Sequence, residues 1–333
     1  MKKIKHVLNL ARIYINYILR KTYCNYLPIR LWIELSSRCN LKCRLCINKD
    51  IPSHLKGDID FDLYKKIIDE VKDYVYDINL FHRGEPLLHP HLIDIISYAH
   101  ARNIKTRIHT NATLLTPDLS KKIILSGLDL ISFSFDGYTK KTYEKNRVNA
   151  NYEKSLNNII TFLKIKKEIN FKKPLSIIQV MEFDEELTSK NFEQQKKKFL
   201  INFNDLPLDK LIIRKPHNWG GLLELSGVKK VHQKDSKLIP CTFPWYSLTI
   251  FYNGKVYLCP QDFEGEILIG DVNKNTIKEI FNNQIIKDIR KKFKTGRIRE
   301  LSPCKDCDRI WRKTFMGIPR EYLGIFIKDS LRK

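Results

Sequence analysis

Long apolar runs are missing from this 333-residue chain. No stretch of about 18 apolar residues occurs, so nothing reads as a membrane-spanning helix. The opening segment has neither the apolar centre nor the small-residue cleavage site of a secretory signal, and the cytoplasm is the expected compartment. Acidic residues are also short: 37 Asp and Glu stand against 60 Lys and Arg, a formal net charge of +23. Such an excess raises the question of an anionic or nucleic-acid partner. The lysines are spread along the whole chain among many Ile and Asn, which reads as an ordinary surface in a biased composition, and no nucleic-acid partner is expected. Internal repeats and low-complexity linkers are absent too. With 43% hydrophobic and 11% aromatic residues, the chain has enough apolar surface to exclude disorder.

What is present is a grouped set of eight cysteines. In a reducing compartment these are expected to be ligands or reactive thiols rather than disulfides. Cys24 stands alone and reads as a small buried hydrophobe. Cys39, Cys43 and Cys46 form C-x3-C-x2-C directly after an apolar run. Cys241, Cys259, Cys304 and Cys307 fall in the last third.

Short apolar runs at 31–35, 78–81, 106–110, 130–135, 175–180 and 211–214 predict six buried strands, and the stretches between them carry apolar residues at helical spacing. Pro117 and Gly127 bracket one such helix. Strands alternating with helices predict parallel βαβ units, in an open doubly wound sheet or part of a barrel, with functional residues past the carboxyl ends of the strands. Cys39, Arg83-Gly84-Glu85-Pro86, Thr110-Asn111 and Asp136-Gly137 all fall there. Residues 247–259 alternate around Asn253-Gly254, a hairpin signal that predicts a separate small C-terminal module. The expected organisation is a helical extension (1–28), the α/β domain (29–221), the module (222–311) and a helical tail (312–333). Within the extension, Ile4, Val7, Leu8, Ala11, Tyr14, Ile15 and Ile18 share one helical face. It is expected to pack on the α/β domain, the alternative being peripheral contact with a membrane surface.

Thiolates suit zinc and iron–sulfur clusters. Four ligands make a closed site, and zinc and a cluster are both open to the last four cysteines. Three ligands leave one metal position for a substrate or cofactor.

CNLKCRLC after a strand resembles the signature of the radical S-adenosylmethionine (SAM) superfamily. RGEP at 83–86 is similar to that family's GGEP, TNA at 110–112 to its TNG, and SFDG at 134–137 to its SxDG. The resemblance covers about Ile29 to Ile213 and implies a partial (β/α)6 barrel. It further implies that Cys39, Cys43 and Cys46 hold a 4Fe-4S cluster whose fourth iron is chelated by SAM. Gly84, Glu85 and Pro86 would receive the methionine amino group, Asn111, Ser134 and Asp136 would lie near its carboxylate and the ribose, and Leu45 would flank the adenine. Arg83 departs from the first glycine of the family motif, and Leu45 from a common aromatic.

The last four cysteines and the sequence between them resemble the shortened SPASM module called a twitch domain, which implies a second, auxiliary 4Fe-4S cluster held by Cys241, Cys259, Cys304 and Cys307. A fully ligated cluster points to electron transfer, hence to net oxidation. Hydrogen abstraction by a 5′-deoxyadenosyl radical from a hydroxyl-bearing carbon, then deprotonation, would leave an electron for that cluster. A sugar, aminocyclitol or nucleotide-linked sugar is the expected substrate class, with an electron donor such as flavodoxin or ferredoxin as partner. Gln179, also counted among the cofactor-binding positions, and Glu182, Arg214 and His217 follow the fifth and sixth strands and are the candidates for substrate contact or catalytic base. Maturation of a ribosomal peptide is the second reading. A non-catalytic metal scaffold that binds nucleic acid is the third.

Overall fold

The computed structural model describes residues 2–183, 187, 190–214, 216, 222, 241–307, 314–315 and 318–319. Six strands run parallel in sequence order: β1 (Arg30–Ile33), β2 (Asp77–Asn79), β3 (Lys105–Thr110), β4 (Leu130–Asp136), β5 (Leu175–Met181) and β6 (Lys210–Arg214). The crossovers carry α2 (Phe61–Val71), α3 (Leu92–Ala101), α4 (Pro117–Leu125), α5 (Lys140–Asn146), α6 (Tyr152–Glu168) and α7 (Phe192–Ile201), while α1 (Lys2–Ile18) precedes β1. This is the expected partial (β/α)6 barrel.

Local chemistry starts these helices where the sequence signals them. Thr116 accepts from Leu119 N with Pro117 in the first turn, and Asp60 and Asn151 cap α2 and α6 in the same way. In α2 the buried residues are Tyr64, Ile67, Ile68 and Val71, a stripe of helical period laid on the sheet. Strand β4 shows the matching period of two: Phe133 and Phe135 pack on Phe162 and Tyr143, whereas Ser132 and Asp136 make polar contacts on the opposite, inner side.

The C-terminal module is less separate than expected. Its strands β7 (Ser247–Ile250), β8 (Lys255–Tyr257) and β9 (Leu268–Asp271) continue the barrel sheet, in the order β6-β5-β4-β3-β2-β1-β7-β8-β9. β7 lies parallel to β1, pairing Arg30 with Ser247 through Ile33 with Ile250. The hairpin from β7 to β8 turns at Asn253-Gly254 as predicted, Gly254 having φ +84°. Three helices follow, α8 (Ile277–Phe281), α9 (Gln284–Lys294) and α10 (Ser302–Lys305). Thr314–Phe315 (β10) and Ile318–Pro319 (β11) pair as short antiparallel strands where the sequence suggests helix. No helix among the described residues is long and apolar enough to cross a membrane.

Helix α1 does pack on the barrel, but not through its apolar face. Its anchors are His6, stacked on Tyr76 at 3.9 Å, Ile13, and Tyr17, edge-on to Trp245 at 5.5 Å. Tyr76 and Trp245 precede β2 and β7, so α1 lies across the amino ends of the strands, beneath the barrel. The face of Val7, Leu8, Ile15 and Ile18 points outward.

Candidate functional site

At the carboxyl ends of the strands four loops converge. The loop after β1 carries Cys39, Cys43 and Cys46 with Leu45, and is tied down through its backbone: Lys42 N donates to Val148 O and Arg44 N to Asn146 O. Buried Asn48 donates through Nδ2 to Ser37 O and Arg83 O, joining this loop to the one after β2. The thiols are free, and burial pushes Cys39 up to about 11 and Cys43 up to about 12. Thiols held protonated this way become ligands by giving their protons up to a metal.

Gly84 lies against this loop so closely that a Cβ would run into the carbonyls of Ser36 and Arg38, and Glu85 N donates to Arg38 O at 2.8 Å. The Glu85 carboxylate is buried and already occupied. It accepts from Thr110 Oγ1 and Leu87 N on one oxygen and from Asn111 N on the other. Burial raises its pKa while these donors pull against it. Its direct role is thus to fasten the loop after β3 to the loop after β2. Asn111 in turn donates to Asn40 Oδ1 and lies 4.0 Å from Cys39 Sγ. Ala112 takes φ +62°, a left-handed conformation that accounts for glycine at this place in the family's TNG.

Arg83 does not merely replace a glycine. Its guanidinium grips Glu34 at the end of β1 through two bonds of 2.6 and 2.7 Å and covers the Phe251 ring at 3.8 Å. Glu34 also accepts from Tyr252 N, and burial of this carboxyl is outweighed by Arg83 and His82, which hold it at about 2. The departure from the motif therefore links the cysteine-bearing strand to the C-terminal module.

Arg147, between α5 and α6, was not singled out from the sequence. It is buried and paired with Asp136 at 3.1 Å. Burial opposes its charge, but Asp136 and the neighbouring Cys43 outweigh it and keep the guanidinium protonated. Inside the barrel, Ser134 is half-buried on β4, and Gln179 donates to Ser132 Oγ at 2.7 Å, accepts from Arg214 Nε at 3.3 Å and approaches the ring of His109. His109, also missed, is stacked on Phe81 at 3.8 Å. Burial, helped by Arg214 and Arg107, lowers its pKa to about 3, so it is neutral near pH 7. Its signal was its place two residues before Asn111, facing inward on β3. Glu182 stands apart from this cluster, accepting from Lys196 Nζ at 2.9 Å and from the Tyr138 hydroxyl. His217 lies outside the described residues.

In the module, Cys241, Cys259, Cys304 and Cys307 line one cavity with Phe243, Leu258 and Gln261. Burial raises the Cys259 and Cys304 thiols well above their ordinary value, and Gln261 Oε1 is buried there with no hydrogen-bond partner. Among the described residues no three His, Cys, Asp or Glu side chains converge on a single metal ion. Two groups of buried or half-buried soft donors, one around a cavity and one beside a backbone cradle, fit iron–sulfur clusters.

An α/β barrel with thiols in two such groups suits an iron–sulfur protein, and sequence comparison gives the family. Residues 33–172 match the radical SAM superfamily and residues 241–308 the SPASM iron-sulfur cluster-binding domain. The chain belongs to the radical SAM superfamily and carries a SPASM domain. Its cofactors are SAM, a SAM-binding 4Fe-4S cluster and an auxiliary cluster. The tungsten-containing aldehyde ferredoxin oxidoreductase cofactor-modifying protein of Pyrococcus furiosus is 35% identical over 109 residues, 32% of this chain and 30% of that protein. The chain thus spans about a third of the length of that curated relative. A solved structure of BtrN in complex with AdoMet and 2-DOIA covers 85% of this chain and 93% of its own, with TM-score 0.55 and 18% identity. Native anSMEcpe with bound AdoMet and Cp18Cys peptide covers 91% and 95%, with TM-score 0.57 and 16% identity. At these identities both structures speak for the fold.

Proposed function

We propose that this radical SAM enzyme oxidises a hydroxyl-bearing carbon of a small polar substrate, a sugar, aminocyclitol or nucleotide-linked sugar, in the cytoplasm. The observation that carries this reading is the module's cavity, lined by four cysteines that would fill every protein-ligand position of a cluster and leave none for substrate. When bound, SAM and its cluster supply hydrogen-atom abstraction, and the auxiliary cluster supplies an acceptor for the electron that remains. Cys39, Cys43 and Cys46 hold the first cluster, and Cys241, Cys259, Cys304 and Cys307 the second. The backbone at Gly84, Glu85 and Pro86 receives the methionine amino group. Asn111, Ser134 and Asp136 attend the carboxylate and ribose, and Leu45 flanks the adenine. Buried Arg147 offsets the negative charge that three thiolates and a carboxylate bring to this end of the barrel.

Gln179, Arg214 and neutral His109 offer hydrogen bonds to a polyhydroxylated substrate from the barrel wall. Glu182, which accepts from Lys196 and Tyr138 on Oε1, completes with His217 and Arg214 the candidates for the base. A flavodoxin or ferredoxin is the proposed electron donor. The cysteine spacing resembles that of 2-deoxy-scyllo-inosamine dehydrogenase, and BtrN was solved with 2-DOIA. Peptide modification is the second reading, supported by the comparable likeness to anSMEcpe, solved with a peptide.

The test is anaerobic reconstitution followed by iron and sulfide analysis of the native chain and of a variant with Cys39, Cys43 and Cys46 changed to Ala. About eight irons falling to about four supports two clusters. SAM cleavage is then measured with aminocyclitols, sugars and peptides. Stimulation by a polyol with formation of its ketone supports the oxidase, and stimulation by peptide alone overturns it.

A further inference from the structure

The outward face of α1 is an apolar stripe that is exposed among the described residues. Val7 is 60% exposed, Leu8 53%, Ile15 53%, Ile18 46% and Leu19 55%, whereas Tyr17 on the packed face is 5% exposed. These five residues recur at the spacing of a single helical face. Beyond the end of the helix Tyr23 is a further exposed ring, with Lys287 of α9 5.7 Å from its centroid. In sequence, the charge of this segment has one sign. Lys2, Lys3, Lys5, Arg12, Arg20 and Lys21 fall in this segment, and no Asp or Glu precedes Glu34. An apolar stripe with exposed Arg12 on the same helix, in a segment whose only charges are basic and which is not long and apolar enough to cross a bilayer, suits the boundary between anionic headgroups and acyl chains.

We infer that α1 docks this enzyme, apolar stripe down, on an anionic lipid surface. A second copy of the chain fits the stripe less well, because pairing two stripes would bring two basic segments together in low dielectric. Nucleic acid would use the cations and leave the apolar residues bare. Because α1 lies beneath the amino ends of the strands, docking turns the opposite end, with the cysteine loop, away from the lipid.

The experiment is co-sedimentation of the reconstituted full chain with phosphatidylcholine vesicles, with and without phosphatidylglycerol. It is repeated for a Leu8→Ser/Ile15→Ser variant and for Arg12→Glu, with SAM cleavage as the check on folding. The expected result is binding to the anionic vesicles alone, weakened by salt, and about tenfold weaker or less detectable still in the double variant with cleavage unchanged. Arg12→Glu, which leaves the stripe intact, should also weaken binding. Failure of the native chain to bind anionic vesicles overturns the inference. So does equal binding by both variants, which would place any attraction elsewhere on the basic surface. So too does a dimer that the double variant converts to monomer without any vesicle binding, since that makes a second copy the occupant.

Discussion

Restoring the family's glycine at Arg83 is a residue-scale test of why this chain carries a cation there. In the native protein Glu34 is fully buried and held at about 2, below its ordinary 4.5. A depressed carboxylate contributes stability that is present above the unfolded value and lost as pH falls toward the folded one. Arg83→Gly leaves the buried carboxylate without its bidentate partner, and we expect a loss of about 3–5 kcal/mol near neutral pH. The sign of the pH dependence should also reverse. With burial now dominant, Glu34 titrates above its unfolded value, so the deficit relative to the native protein should shrink on mild acidification. Thermal unfolding of both proteins across that range measures it, and a deficit that is unchanged or grows would show that Arg83 acts through Phe251 rather than through Glu34.

At the scale of elements, α9 shows how a polar residue can hold the pieces together. From the sequence, the basic run at its end reads as cations offsetting the helix dipole before Gly296. Arg290 departs from that reading. It is fully buried and donates to the carbonyls of Thr22, Pro244 and Phe281 and to Asn282 Oδ1, at 3.0–3.1 Å. Arg290→Met should lower stability by about 3 kcal/mol or more, since several buried acceptors lose their donor at once. Limited proteolysis should show the segment around Thr22 opening first, and Arg290→Lys, with three donors and no fork, should rescue little.

A sign of this role was in the sequence, because Arg290 falls on the stripe of Ile286, Ile289 and Phe293. The six barrel strands were legible because each is a short apolar run between helical periods, and the motif loops follow their carboxyl ends. The packed face of α1 was not, since its anchors include His6 and Tyr17, and apolar periodicity pointed to the opposite side. Arg147 was also hidden: a lone arginine in a loop has no local pattern, and its pairing depends on the fold turning it back onto Asp136 at the end of β4. The use of Glu85 as a fastener, and of Arg83 as a link to the module, likewise depends on partners that only the fold brings near.

For the whole molecule, the pairing of β7 with β1 means that barrel and module share one sheet. A chain ended after residue 221 would leave the β1 edge open along Arg30–Ile33, with backbone donors and acceptors unpaired. Such a truncation should therefore aggregate rather than give a working barrel without its auxiliary cluster. Size-exclusion chromatography checks this, and a monomeric truncation that still cleaves SAM would contradict it.

The same pairing sets an order on the making of the protein. β1 leaves the ribosome early, but its second neighbour is roughly two hundred residues downstream, some tens of seconds later at ordinary rates of synthesis. During that interval the strand that leads into Cys39 has one open flank. That edge closes only when β7 arrives, so the sheet that positions the cysteine loop is completed by the last third of the chain.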